Sequence, residues 1–288
     1  MPNGPAEAAR LIHTVIEITS PPTSTRQVLV DIIQKSGWHF GTDAEDKADL
    51  WLNRFISRLE RLIEDSRDNG SFLEFAFNSS GTDFIQGYCF SEPHDSSDII
   101  AHKQNRAKTR AIYDHCQRLS ATDFENLSGK VLDLLNVEKA YVSRRSADQG
   151  IDFFGRVNFG DMIKSTLLDP GAEKHFYVWL VGQSKHYPQS KVSTKEIREL
   201  VGSVEFARAK IFAGSSDPLA DLEVRLCDPI FFLFFTTGKF TRDSYDILGR
   251  SGVLSFDGLQ IAQFLADRGV GLIAGDFDPS SFDHWLRA

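Results

Sequence analysis

The chain has 288 residues, 41% of them hydrophobic, which is enough for one large domain or two ordinary ones with packed cores. Its formal charge of -8 excludes a globally basic nucleic-acid binder and confines any DNA contact to a local basic surface, with affinity that falls as salt rises. Cys89, Cys116 and Cys227 lie far apart without zinc spacing, and neither a signal-like N-terminus nor a membrane-length apolar run is present; free thiols and a cytoplasmic location, with no membrane partner, are the expectation.

Taken in order, residues 6–18 read as a helix with Leu11, Ile12, Val15 and Ile16 on one face, closed by Ser20-Pro21-Pro22. A second helix spans 24–35. A third, 44–66, sets Leu50, Leu52, Phe55, Ile56 and Leu59 against a charged face that mixes Asp46 and Glu60 with Arg54, Arg58 and Arg61. That mixture makes it a poor recognition surface. Alternating runs at 72–77 and 84–90 can pair across Asn78–Gly81. Three helices and a hairpin fit a winged helix, which would dock DNA. They equally fit a helical accessory domain that binds a protein partner or merely packs. Residues 91–101 are polar and turn-rich, as in a linker. Residues 102–118 carry His102, Lys103, Arg106, Lys108, Arg110 and Arg118, and read as one basic helix. Its face is either a phosphate contact or simply solvated.

Ser120 caps a helix over 121–135 that buries Phe124, Leu127, Val131 and Leu134 and carries Glu125 in its first turn. A strand at 140–143 leads to Arg144-Arg145, and then to Asp148-Gln149-Gly150-Ile151-Asp152. The run Phe176–Val181 is apolar on both faces, so it reads as a buried strand. Alternation along it points Gln183 and Lys185 the same way as Trp179 and Val181. A hairpin between this strand and the segment 151–157 would set Asp152 beside both. One carboxylate, an amide oxygen and an ammonium suit a hard cation and a phosphodiester. Each residue alone has a plain explanation as a turn or a strand end; the ordered set does not.

Farther on, Ser193-Thr194-Lys195-Glu196 is a capping box opening a helix, with Lys191, Lys195 and Arg198 near its start as a phosphate seat. A helix over 217–227, a strand over 230–237, a helix over 241–250, an edge strand over 253–256 and a helix from Asp257-Gly258 follow. Thr236 and Thr237 read either as DNA-backbone contacts or as strand-end caps. Gly238-Lys239 is not a P-loop, because Leu233 stands where the first glycine belongs. The aromatic tail from Phe277 to Trp285 docks on the core or on another subunit. The alternation of strand and helix indicates an α/β layer structure with a mixed sheet.

The ordered set resembles the Mrr-like restriction endonucleases of the PD-(D/E)xK nuclease superfamily. It rests on Phe124-Glu125 in a helix, Asp148-x-Gly150-Ile151-Asp152, Gln183-x-Lys185, Val192-Ser193, Arg198–Gly202, Thr236–Thr241 and Asp257-Gly258. The resemblance covers about 119–275. It implies a restriction-endonuclease-like mixed central sheet flanked by helices, behind a mostly helical, winged-helix-like accessory region. The implied division is 1–101 accessory, 102–118 linker helix, 119–275 nuclease and 276–288 tail. It further implies an Mg²⁺- or Mn²⁺-dependent endodeoxyribonuclease acting in restriction or antiviral defence. Asp152 and Gln183 would hold the metal, Lys185 would act on water or phosphate, Glu125 would assist, and Asp148 and Gly150 would support them. Arg144, Arg145, Lys191, Lys195 and Arg198 would contact DNA. Cutting both strands implies a dimer or larger homo-oligomer. The segment 158–174 is longer than the pattern suggests. Gln183 in place of an acid also leaves open a non-catalytic binding subunit on the same fold.

Overall fold

The computed structural model describes residues 3–143, 150–158, 177–211 and 219–288. The chain divides into two compact units: residues up to Arg110 together with Gln263–Phe277, and Ala111–Ala262 together with Asp278–Ala288.

The first unit begins with α1 (Pro5–Arg10) and a 3-10 turn (Ile12–Thr14), so the helix expected over 6–18 stops early. A short strand β1 (Thr23–Ser24) leads into α2 (Thr25–Lys35) and α3 (Gly41–Asp68). Val28, Leu29, Ile32 and Ile33 of α2 are buried against Ala44, Ala48, Phe55 and Leu59 of α3. Phe55 and Leu59 belong to the apolar stripe expected of this helix, whereas Leu50, expected on it, is 70% exposed. The hairpin β2 (Phe75–Asn78) and β3 (Gly81–Gly87) forms as expected, and β1 adds to β3 to give the order β1-β3-β2.

The basic stretch 102–118 is not one helix. It is split between α4 (Ser97–Arg106) and α5 (Thr109–Cys116). Thr109 Oγ1 donates to the Arg106 carbonyl at 2.7 Å, and Lys108 N–H closes a tight turn onto Asn105. A threonine hydroxyl that takes a helical carbonyl in this way favours a break.

In the second unit, α6 (Ala121–Leu134) starts at Ser120, whose hydroxyl accepts from Asp123 N–H. The central sheet has the order β10-β8-β6-β5-β4, built from β4 (Ala140–Val142), β5 (Phe153–Asn158), β6 (Tyr177–Lys185), β8 (Ile230–Thr236) and β10 (Leu254–Phe256). Strands β4, β5 and β6 pair antiparallel, while β6, β8 and β10 run parallel. The sheet is mixed, as expected. Between its strands come β7 (Lys191–Val192), α7 (Thr194–Arg208) and β9 (Lys239–Phe240), with β7 and β9 paired to each other. Then follow α8 (Arg242–Ser251) and α9 (Gly258–Asp267). Strands β11 (Leu272–Ile273) and β12 (Asp276–Phe277), which belong to the first unit, form a small hairpin, and α10 (Pro279–Arg287) follows in the second.

One expectation changes here, and one open alternative is decided. The described part of the predicted 217–227 helix is a set of turns. Asp228 holds it: its carboxylate accepts from the Arg225 N–H at 3.0 Å, from the Arg225 guanidinium and from Trp179 Nε1. The aromatic tail is helical and docks within its own unit, with Phe282 fully buried and ring-packed on His115 at 5.0 Å. The expected insertion at 158–174 lies, after residue 158, outside the described residues.

Gly182 permits the close packing of β5 on β6. A methyl group there would strike the Phe153 ring and approach the Leu233 carbonyl at 2.9 Å. Gly182→Ala is therefore expected to cost about 1–3 kcal/mol through overpacking. Urea denaturation would show a lower midpoint at an unchanged slope.

Candidate active site

Strand β6 is buried continuously from Val178 to Ser184 and emerges at Lys185. Trp179 and Val181 pack with Ile197, Leu200 and Val204 of α7. Alternation puts Gln183 and Lys185 on that same face. Phe153 lies opposite Gly182 in the antiparallel register, so Asp152 enters the strand opposite Gln183, and its N–H donates to the Gly182 carbonyl at 2.9 Å. The hairpin thus brings Asp152 to the place that the sequence pattern suggested.

Asp152 is 7% exposed. Its Oδ2 accepts from the Ser184 N–H at 2.7 Å and from Ser184 Oγ at 3.2 Å. Both bonds are charge-assisted and fix the carboxylate against the residue between Gln183 and Lys185. Ser184 was not singled out from the sequence, where it stands only as the variable position of Gln-x-Lys. Gln183 is 1% exposed, and among the described residues its Oε1 has no hydrogen-bond partner. A buried, unsatisfied oxygen of this kind costs about 1–3 kcal/mol. Gly150, at φ 84°, lies close to Gln183 Nε2 and to the Ser203 hydroxyl. A side chain there would be strained and would collide with Ser203, so this position needs glycine.

The backbone of Lys185 is pinned by β8. Its carbonyl accepts from Thr236 Oγ1 at 2.9 Å and from Thr237 N–H at 3.3 Å, while Thr237 Oγ1 accepts from Tyr187 N–H at 2.8 Å. Of the two readings of these threonines, the structure shows strand-end capping. Phe124 of α6 meets the His186 ring at 5.9 Å, which sets the first turn of α6, with Glu125, beside the end of β6. His186 follows the last residue of β6. Burial lowers the His186 pKa, and among the described residues its Nδ1 has no partner.

The capping box at α7 is present: Ser193 caps the helix and Glu196 returns to the Ser193 N–H at 3.1 Å. A carboxylate therefore already sits at this helix start. Lys191, Lys195 and Arg198 are exposed around it, so any phosphate contact here would come from their side chains rather than from the helix amides. Burial opposes ionisation of Glu196, yet bonds from the Ser193 side chain and from backbone amides, with the charge of Lys185, together lower its pKa. The proximity of Glu196 to Lys185 is a second feature that sequence reading missed, because the capping box already explained that residue. Arg144, Arg145 and Asp148 lie outside the described residues.

Among the described residues no three His, Cys, Asp or Glu side chains converge on one point. The available donors are the Asp152 carboxylate and the orphaned Gln183 amide oxygen. Both are hard oxygen ligands, and Mg²⁺ commonly takes one or two carboxylates and fills its shell with waters and phosphate oxygens. The donor set fits that ion and does not fit a zinc site.

The mixed central sheet with its flanking helices is of the restriction-endonuclease-like class of fold. Residues 116–214 match the family model Mrr_cat, a restriction endonuclease. No curated protein matches the chain. Similar solved structures include the MspJI restriction endonuclease in complex with a 27-mer oligonucleotide, at 19% identity and a TM-score of 0.40 over 68% of this chain and 38% of that one. Another is the DNA modification-dependent restriction endonuclease AspBHI, at 17% identity and a TM-score of 0.40 over 73% of this chain and 46% of that one. The chain spans less than half the length of either.

A lowered acid pKa stabilises the folded state fully above the ordinary value of 4.5, and this contribution is lost as pH falls through the lowered one. Glu196→Gln is expected to be less stable than the wild type above pH 4.5, with the difference shrinking in more acidic solution. Thermal melts across that range would show it; a constant offset would contradict it.

Proposed function

We propose that this protein is a divalent-metal-dependent endonuclease that hydrolyses phosphodiester bonds in DNA, in restriction or antiviral defence. What supports the reading is the register that sets Asp152 opposite Gln183, with Lys185 two residues farther along at the end of β6, within the segment that matches the restriction endonuclease family. Asp152 and Gln183 would hold Mg²⁺ or Mn²⁺. When bound, the ion polarises the phosphate and lowers the pKa of water.

The chain's own groups do the rest. Ser184 locks the Asp152 carboxylate in position. The Lys185 ammonium orients the attacking water and offsets charge on the phosphate. Glu125 assists from α6, and Asp148 and Gly150 support the turn. Arg144, Arg145, Lys191, Lys195 and Arg198 contact the DNA backbone. Cleavage of both strands needs a second site, supplied by another copy in a dimer or larger assembly.

Asp152→Ala and Lys185→Ala are each expected to reduce Mg²⁺-dependent plasmid cleavage by at least ~100-fold, while gel-shift affinity for DNA in EDTA stays near that of the wild type. Retained cleavage in either variant would end the assignment. Wild-type protein that binds DNA and never cuts it would instead support the non-catalytic binding subunit.

A further inference from the structure

The third helix carries a basic groove that the mixed charges of its sequence concealed. Arg54, Arg58 and Arg61 recur at i, i+4 and i+7 on α3, and Asn53 and Ser57 stand beside them. All five are exposed, on the side opposite buried Phe55 and Leu59. With Arg10 of α1 they line a groove of about 650 Å³. Its lining carboxylate, Glu7, is engaged by Arg10 at 3.2 Å.

The row lacks counter-charge among the described residues. Several other basic side chains of the same unit are neutralised. Arg26 pairs with Asp49 at 2.6 Å, Lys103 with Asp95 at 2.7 Å, Arg106 with Asp267 at 2.6 Å, Lys108 with Asp276 at 2.7 Å and Arg110 with Glu74 at 3.1 Å. The stretch that looked most basic in the sequence therefore spends much of its charge internally. Among the described residues, Arg54, Arg58 and Arg61 form no ion pair. Like charges at i, i+3 and i+4 repel and disfavour the helix. In a chain of formal charge -8, three unpaired guanidiniums on one face are a surface that an anion would complete.

We infer that the α3 groove is a docking site for the phosphate backbone of duplex DNA. Guanidiniums spaced along one helix face can each take a phosphate, and Asn53 and Ser57 can add hydrogen bonds. Such contacts position the duplex without reading its sequence. The inference rests on the reading of the chain as an enzyme that acts on DNA.

The test uses the full chain and a fluorescein-labelled duplex, with anisotropy recorded in EDTA over a series of salt concentrations. Arg54→Gln, Arg58→Gln and Arg61→Gln combined are expected to weaken binding at least ~10-fold and to flatten the slope of log Kd against log salt by about 2–3, roughly one for each phosphate that an arginine no longer neutralises. The combined Lys replacements keep the charge and should retain most of both. Matching circular dichroism melts verify folding, which exposed positions should not disturb. An unchanged Kd and slope in the Gln variant, equal loss in the Lys variant, or a wild-type chain that binds an acidic polypeptide but no duplex would each overturn the inference. The cleavage assay fails separately. A chain that cuts DNA while the Gln variant binds as before removes the groove alone. A chain that never cuts, yet binds through these arginines, leaves the groove standing.

Discussion

A strand buried on both faces can carry polar side chains only where something satisfies them, and β6 ends under that constraint. Gln183 and Ser184 are both buried, at 1% and 6% exposure. Ser184 meets it by donating twice to Asp152. In doing so it ties the carboxylate of β5 to the tip of β6 and makes the site a property of the sheet register. A one-residue slip between these strands would turn every side chain to the other face and separate the two. The same register is held from the other side by Thr236 and Thr237, which clamp the Lys185 carbonyl. The geometry of the candidate site is thus a consequence of core packing and not of a loop conformation.

That dependence explains which features were legible in the sequence. The six-residue apolar run before Gln183, its alternation and the Gly-Ile-Asp turn carry their own periodicity, so the sheet and the approach of Asp152 to Gln183 could be read directly. The capping box of α7 and the Ser120 cap of α6 were legible for the same reason. What escaped depends on partners distant in sequence. Ser184 matters because Asp152 lies 32 positions away. The break between α4 and α5 depends on a single threonine hydroxyl, and the ordered turns before Asp228 depend on Trp179, on another strand. The aromatic tail carried an amphipathic signal without an address, and its address is His115.

Charge was the property most easily misread from local composition. Residues 102–118 look like the basic face of the protein, yet Lys103, Arg106, Lys108 and Arg110 all have carboxylate partners. Helix α3 looks balanced, yet three of its arginines have none among the described residues. Pairing is decided by tertiary position, and a charge that is already paired offers little to a phosphate, because binding would have to displace its carboxylate. A count along the sequence therefore locates basic residues, while only the fold distinguishes spent charge from available charge.

The substitution of glutamine for an acid at position 183 has a physical consequence under the proposed mechanism. A second carboxylate at 1% exposure beside Asp152 would place two like charges in a desolvated site, and one of them would be driven toward its protonated form. An amide supplies the oxygen without the charge. The protein then offers a divalent ion fewer negative charges than a two-carboxylate site would, and phosphate oxygens become a larger share of what balances it. Ion and DNA would each favour the binding of the other, which is the reciprocity any two coupled ligands must obey. A site built this way is held ready by the Ser184–Asp152 bonds but is completed electrostatically only by its substrate.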